Sequence, residues 1–334
     1  MAARPVLRAA ARITSRQSIA TATPRHFCTS TPVLRPATTS SSSPSTSSPS
    51  LSSSSSSSSK SEKSNDSPRT THFGFQDGFS EAEKTEKVAE VFHSVAESYD
   101  RMNDLMSFGW HRVWKDHFVS SLNPGASATT PPSPQRILDV AGGTGDIAFR
   151  MLHHAHIVNN NPNVHVTISD INPSMLAVGK QRSESQLPAS QQASLSFLEA
   201  DATALPPSIA DSSLDLYTVA FGVRNFANIP AALSEAYRVL KPGGVFACLE
   251  FSKVTNPAFD ALYQRWSFSA IPLIGQLVAG DRDSYQYLVE SIARFPDQAT
   301  FRRMLEHAGF VVGGAGYEDL TLGVAAIHKG MKPL

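Results

Sequence analysis

Short apolar segments alternate with segments of helical period from residue 137 onward, and this alternation constrains the fold more than any other feature of the sequence. Five strands are predicted there, at residues 137–141, 164–170, 194–199, 214–221 and 244–251. Helices are expected between most of them, and such alternation implies parallel strands joined by right-handed crossovers. The sequence therefore predicts an α/β protein with a doubly wound sheet and helices on both faces.

Helices are also predicted on both sides of this region. Ser80 followed by Glu83 is a capping box, and apolar residues then recur at helical spacing. A second helical stretch contains Trp110, Trp114 and Phe118. The other predicted elements are helices at residues 146–153, from Pro173, at 230–240, over 259–278 and at 298–307, and two final strands near 311–316 and 323–328.

The first 60 residues differ in charge from the rest of the chain. They contain seven basic and no acidic residues, whereas the remainder contains 22 basic and 29 acidic residues. Residues 1–36 are rich in Arg, Ala, Ser and Thr, which is typical of a mitochondrial transit peptide, with a generic basic tail as the alternative. Residues 37–72 are rich in Ser and carry too few apolar side chains to fold. We therefore expect a folded domain over residues 73–334.

Composition excludes several functions. An acidic domain without a basic stripe is unsuited to nucleic-acid binding as its main activity. Cys28 and Cys248 are the two cysteines of the chain, which excludes a disulfide framework. His153 and His154 have no companion carboxylate at metal-ligand spacing, so no metal site is predicted. No apolar run reaches the roughly 18–20 residues of a membrane span.

A glycine-rich turn follows the first predicted strand of the sheet and begins a helix. It contains Gly142, Gly143, Thr144 and Gly145. Glycines at this point permit positive φ and let a ligand approach the backbone closely. The turn therefore predicts a nucleotide- or nucleoside-binding site.

Acidic residues end the next two strands, Asp170 and Asp201. The carboxyl ends of parallel strands meet at one edge of the sheet, where such folds bind ligands. Because no Lys or Arg stands in these loops, they suit a cationic, phosphate-free ligand such as S-adenosylmethionine better than a pyrophosphate. Residues 143–148 also match the dinucleotide fingerprint G-x-G-x-x-A, so a nicotinamide-dependent oxidoreductase stays an alternative.

Two longer motifs resemble those of the ubiquinone/menaquinone biosynthesis C-methyltransferases. The first covers residues 99–114 (YDRMNDLMSFGWHRVW) and the second residues 238–252 (RVLKPGGVFACLEFS). Residues 221–225 and 283–298 are also similar to that family. The resemblance extends over residues 73–334.

The resemblance implies a class I S-adenosylmethionine-dependent methyltransferase fold, in which a seven-stranded, mostly parallel sheet has an antiparallel last strand. Its cofactor would be S-adenosyl-L-methionine. The implied contacts are Thr144 with Gly142, Gly143 and Gly145 in the turn, Asp170 at the ribose, and Asp201 with Ala202 beside the adenine. Where the family often has a Ser, this chain has Ala220, so any contact there would be through the backbone.

The resemblance also implies C-methylation of a polyprenylated methoxybenzoquinol in ubiquinone biosynthesis. Arg224 and Asn225 follow the fourth strand, and we expect them to be catalytic, with the guanidinium stabilising a phenolate or polarising a water. The alternative for Arg224 is a structural salt bridge to a helix. Glu250 is either a distant base or a structural carboxylate. His111 and Trp114, with Tyr99, are weaker candidates for the ring site.

The remaining expectations concern the surroundings of the site. We expect a helical lid at residues 80–122 and a cap segment at residues 257–295. Apolar side chains in the cap segment would contact the polyprenyl tail, a membrane or a partner, with ordinary packing of a cap helix on the core as the alternative. The expected place of the protein is the matrix side of the inner mitochondrial membrane, as a peripheral protein beside other quinone-synthesis enzymes. A catalytically weak scaffold subunit is the non-enzymatic alternative.

Overall fold

A computed structural model describes residues 70–95, 103–104, 107–279 and 282–334 of the chain. The chain divides into two units, residues 1–63 and residues 64–334, and all described residues belong to the second. The predicted transit peptide therefore lies outside the described residues, as does the predicted linker up to residue 69.

The strands form a hairpin and a seven-stranded sheet. Strands β1 (Thr70–Phe73) and β2 (Gln76–Ser80) make the antiparallel hairpin. The sheet has the order β5-β4-β3-β6-β7-β9-β8. Its strands are β3 (Gln135–Val140), β4 (Val164–Asp170), β5 (Leu195–Glu199), β6 (Leu214–Ala220), β7 (Leu240–Phe251), β8 (Tyr317–Leu320) and β9 (Ala325–Met331).

Strand direction confirms the predicted fold class. The neighbours from β5 to β7 pair in parallel, whereas β9 is antiparallel to both β7 and β8. The chain enters the sheet at β3, moves outward to β5, and returns to β6 on the other side of β3. This reversal creates a switch point between β3 and β6, where α/β sheets bind ligands.

Helices surround the sheet. They are α1 (Glu81–Val95), α2 (Trp110–Leu122), α3 (Asp146–His153), α4 (Pro173–Gln186), α5 (Ala189–Gln192), α6 (Ile229–Val239), α7 (Pro257–Arg265), α8 (Ile271–Ala279), α9 (Arg282–Arg294) and α10 (Gln298–His307). A π-helical turn, His154–Val158, follows α3, and another, Trp266–Ala270, joins α7 to α8. Apolar side chains form one core on each face of the sheet, the first packed against α2, α3 and α9 and the second against α6 and α10.

Polar side chains fix where several helices begin. The predicted capping box is confirmed, because the Ser80 backbone N–H donates to Glu83 Oε2 at 2.8 Å and Glu83 N–H donates to Ser80 Oγ at 3.2 Å. Asn172, Asn228 and Asn256 accept from the first turns of α4, α6 and α7, each with Pro at one of the first two positions. These local signals explain why most predicted helix starts are correct.

Some predicted elements were wrong or missed. The helix predicted over residues 259–278 is interrupted by the π-helical turn. The strand predicted near residues 311–316 is absent; Val311 makes one isolated bridge with Met331, and β8 begins after two glycines with positive φ, Gly314 and Gly316. The hairpin β1–β2 and helix α9 were not predicted, and the hairpin begins at Thr70, within the segment predicted as linker.

Among the described residues, the structure contains no helix that combines the length and the apolar character needed to span a membrane.

Candidate active site

A cleft opens at the carboxyl ends of the central parallel strands. It holds about 1050 Å³ of empty space, and the turns after β3, β4, β5 and β6 contribute to its wall. Thr85, Val88 and Ala89 of α1 line it from the opposite side. Asn172 Nδ2 donates to Ala89 O at 3.1 Å, which fixes α1 to the loop after β4. The predicted lid helix thus forms part of the wall.

The glycine turn lines this cleft with Gly142, Gly143 and Thr144. Ala141 and Gly143 have φ of 51° and 44°. A Cβ at Gly142 would lie 2.9 Å from Asp139 Oδ2, and one at Gly143 would lie 2.9 Å from Met175 Cε. Gly145 lies outside the residues that line the cleft; its φ is 83°, and a Cβ there would lie 2.7 Å from the Phe149 ring. Its requirement for glycine is therefore steric.

The predicted carboxylates and their neighbours come together in the wall. Thr144, Asp170, Asp201 and Ala202 all line the cleft. Asp170 Oδ1 accepts from Asn172 N at 2.9 Å, and burial raises the pKa of Asp170 to about 6. Asp201 Oδ1 accepts from the backbone N–H and the hydroxyl of Thr203, at 2.8 and 2.9 Å. Both loops are held rigid by these short-range bonds.

A third carboxylate in the wall was not predicted as a site residue. Asp139 stands inside the apolar strand β3 and is 1% exposed. Its Oδ1 accepts from the Thr218 hydroxyl at 2.6 Å, whereas its Oδ2 is buried with no hydrogen-bond partner among the described residues. Burial raises the pKa of Asp139 to about 7. An acid within an apolar strand was the sequence signal for this residue.

Sequence analysis also missed a cation. Lys115 of α2 is the single Lys or Arg among the described residues that line the cleft, and its Nζ lies 2.8 Å from Asp146 Oδ2. Asp146 begins α3 and also contacts Arg150 Nε at 2.8 Å. Burial alone would raise the pKa of Asp146, but Lys115 and Arg150 hold it at about 2. Nothing local in the sequence indicates that α2 reaches the glycine turn.

The two predicted catalytic residues occupy different places. Asn225 lines the cleft, and its Oδ1 accepts from the Tyr287 hydroxyl at 3.1 Å. Arg224 is not in the wall, and its side chain is fully buried. Its Nη1 lies 2.7 Å from both Glu250 Oε1 and Phe221 O. Arg224 and Glu250 therefore form a buried ion pair, but the partner lies on strand β7 and not on a helix, as the alternative had it.

The weaker ring-site candidates also lie outside the wall, or outside the described residues. His111 is buried with its Nε2 2.8 Å from Asp104 Oδ1. Trp114 is a core residue, and its Nε1 donates to Thr321 Oγ1 at 3.0 Å. Tyr99 is not among the described residues.

The wall fits S-adenosylmethionine. Gly142 and Gly143 line the cleft, the orphaned Oδ2 of Asp139 can accept from an ammonium, and Asp170 and Asp201 can accept from hydroxyl and amine groups. A dinucleotide pyrophosphate would instead need several donors or cations, and Lys115 is the single cationic side chain in the described wall.

Strand order, the antiparallel last strand and the acid-lined cleft define a class I methyltransferase. Residues 80–332 match the sequence model of the ubiE/COQ5 methyltransferase family. The chain belongs to this family.

Individual relatives cover most of the chain. It is 54% identical, over 80% of this chain and 85% of the relative, to the mitochondrial 2-methoxy-6-polyprenyl-1,4-benzoquinol methylase of Schizosaccharomyces pombe. It is 50% identical, over 79% and 97%, to the ubiquinone/menaquinone biosynthesis C-methyltransferase UbiE of Dinoroseobacter shibae. Among solved structures, the [4+2]-cyclase SpnF has a TM-score of 0.53 at 16% identity, covering 75% of this chain and 96% of its own, and supports the fold alone.

Proposed function

We propose that this protein methylates a ring carbon of a polyprenylated methoxybenzoquinol, with S-adenosylmethionine as the methyl donor, in mitochondrial ubiquinone synthesis. The observation that carries the proposal is the composition of one cleft. Carboxylates, a glycine turn and the loop from Asn225 to Ala227 all line it. A cationic donor and an aromatic acceptor can therefore meet in one cavity. The names of the relatives supply the substrate class.

The cofactor side follows from the chemistry of the acids. Asp170 accepts hydrogen bonds from the ribose hydroxyls, and Asp201 with Ala202 lies beside the adenine. When bound, S-adenosylmethionine supplies an electrophilic methyl group. The carboxylates favour a ligand with net positive charge, and Gly142 and Gly143, which line the cleft without side chains, let it approach the backbone closely.

The ring side depends on Asn225. Carbon methylation requires an electron-rich ring, so a group that stabilises a developing phenolate lowers the barrier. Because Asn225 Oδ1 accepts from Tyr287, its Nδ2 is left to donate to a phenolate oxygen in the cleft. The ring carbon would take the methyl group as the S–CH3 bond of the donor breaks, with S-adenosylhomocysteine as the leaving group. The proton that the same carbon then loses would pass to water, which restores the aromatic ring.

Arg224 stabilises the loop that contains Asn225. Its Nη1 binds Phe221 O at the end of β6, and its backbone N–H lies 3.4 Å from Glu250 Oε2. Because Phe221 has a φ of 57°, its backbone is strained, and the guanidinium helps to hold it. We therefore propose Arg224 as a positioning residue for Asn225, in place of the direct role at the ring that the sequence suggested.

The polyprenyl tail suggests where the protein meets lipid. Phe108, Trp110, Leu262 and Leu273 are 62%, 51%, 66% and 59% exposed. The Phe108 ring lies 4.8 Å from the ring of Trp266, so the start of α2 and the cap segment share apolar surface. We propose that this surface contacts the matrix face of the inner mitochondrial membrane, where the tail partitions. The predicted contact with other quinone-synthesis enzymes stays a prediction.

A turnover assay tests the reaction. Purified full-length protein is incubated with S-adenosylmethionine and a short-chain methoxybenzoquinol that is kept reduced. We expect equal amounts of methylated quinol and S-adenosylhomocysteine by mass spectrometry, and inhibition by added S-adenosylhomocysteine. No methylated product, or oxidation of the quinol with NAD instead, would overturn the proposal.

A vesicle assay tests the lipid surface. Flotation with vesicles of inner-membrane composition should fall for Leu262→Asp combined with Leu273→Asp. Val311→Asp is the matched control, because Val311 is 55% exposed and lies beside β9 rather than in the cap segment. Equal flotation of both variants would contradict the assignment.

A further inference from the structure

Lys115 is a buried cation beside the cleft whose hydrogen-bonding capacity is only partly used. Its side chain is 4% exposed, and its Nζ lies 2.8 Å from Asp146 Oδ2 and 5.9 Å from the centroid of the Phe221 ring. An ammonium has three N–H donors, and burying one without partners is costly. Within the part of the chain that the structure describes, Asp146 is the hydrogen-bond acceptor of Lys115 Nζ, which leaves donors for a ligand in the cleft.

Asp146 does not depend on Lys115 alone for charge balance. Its other oxygen, Oδ1, is held by Arg150 Nε at 2.8 Å. Arg150 in turn contacts Asp116, whose side chain is 68% exposed. Two cations thus share one poorly exposed carboxylate, Asp146, while the other acid lies largely in water. An additional anion on the cleft side of Lys115 would give this buried ammonium a second acceptor.

S-adenosylmethionine contains one anionic group, the α-carboxylate of its methionine moiety. Asp170 and Asp201, assigned above to the ribose and adenine, lie at the ends of β4 and β5. Asp139 belongs to β3, and Lys115 contacts Asp146 at the start of α3. The orphaned Asp139 Oδ2 can accept from the α-ammonium. The positive end of α3 also favours an anion at this position.

We infer that Lys115 binds the α-carboxylate of the methionine moiety of S-adenosylmethionine, an inference that rests on the cofactor given in the proposed function. Lys115 is then a cofactor-binding residue supplied by α2, outside the sheet and its loops. Cofactor binding would thereby hold α2 against the glycine turn.

The test compares two ligands that differ in the carboxylate alone. Isothermal titration calorimetry measures binding of S-adenosylhomocysteine and of its decarboxylated analogue, which keeps the amine. For the unaltered protein we expect the analogue to bind about 10–100-fold more weakly, as loss of a charge-assisted hydrogen bond predicts. Lys115→Met should weaken the binding of S-adenosylhomocysteine by a similar factor. It should leave the dissociation constant of the analogue within about twofold, as in a double-mutant cycle.

Matched variants distinguish a carboxylate contact at Lys115 from a purely structural role. Arg112 lies one turn before Lys115 on α2, is 61% exposed and is paired with Asp104. Arg112→Met should therefore leave the affinities for S-adenosylhomocysteine and for the analogue unchanged. Lys115→Arg should retain most of the preference for the carboxylate. If Lys115→Met weakens both ligands equally, Lys115 has a structural role and the inference fails. Equal binding of the two ligands to the unaltered protein overturns it even if Lys115→Met does not fold. Failure of the unaltered protein to bind either ligand contradicts the proposed function instead.

Discussion

Replacing Arg224 with methionine would leave Glu250 buried without its cationic partner. The Arg224 side chain is fully buried and that of Glu250 is 1% exposed, so water cannot compensate for the lost charge. Removing one member of a buried ion pair typically costs about 3–5 kcal/mol. In a domain of this size that corresponds to a fall in melting temperature of roughly 6–20 °C.

The loss should depend on pH. Burial already raises the pKa of Glu250, with Arg224 opposing the shift, so the substitution raises the pKa further. The folded variant then binds a proton more tightly than the unfolded chain. Its stability is unaffected below the ordinary pKa of a glutamic acid and is progressively lost as pH rises above it. Arg224→Met should therefore be most unstable at alkaline pH, and adding Glu250→Gln should recover much of the stability.

Calorimetric melting curves at pH 5 and pH 8, together with turnover and S-adenosylhomocysteine binding, measure this effect. Arg136→Met is the matched control, since Arg136 is exposed, and it should change stability by no more than about 0.5 kcal/mol. If Arg224→Met keeps its melting temperature at pH 8 but loses roughly 10²–10³ in turnover, the positioning role is wrong and the guanidinium acts at the ring.

Three further predictions concern the cofactor site, the ring site and the front of the chain. Asp170→Ala should weaken S-adenosylhomocysteine binding by about 2–4 kcal/mol, and an unchanged dissociation constant would move the ribose elsewhere. Because the pKa of Asp170 is about 6, binding by the unaltered protein should strengthen from pH 5 to pH 7 as the carboxylate forms. Asp170→Asn should reduce that dependence and leave the part that comes from Asp139, whose pKa is about 7. In quenched-flow turnover, Asn225→Ala should lower kcat by roughly 10²–10³ and Tyr287→Phe by about tenfold, while the cofactor affinity of Asn225→Ala stays within twofold. Equal kcat for the unaltered protein and both variants would exclude Asn225 from the chemistry. Deleting residues 1–69, just before β1, should leave a domain that melts cooperatively and binds S-adenosylhomocysteine but no longer enters mitochondria in cells. Continued import would contradict the predicted transit peptide.

Local signals in the sequence determined the fold class and the positions of Asp170 and Asp201 in the site. Caps such as Ser80 with Glu83 and the proline after Asn172 fix helix starts through contacts a few residues apart. Asp170 and Asp201 could be assigned to one edge because the carboxyl ends of parallel strands necessarily meet there. Neither inference required knowledge of which distant residues touch.

Tertiary packing decided the rest, because those roles depend on partners far apart in the chain. Lys115 meets Asp146 across 31 positions, and Asn225 meets Tyr287 of the unpredicted helix α9 across 62. Arg224 follows a strand end as the predicted residue should, yet its side chain turns away from the cleft towards Glu250 on the adjacent strand β7. Sequence position placed the Arg224 backbone at the correct edge of the sheet, but only the packing of β7 and α9 against it determined that its charge would be buried.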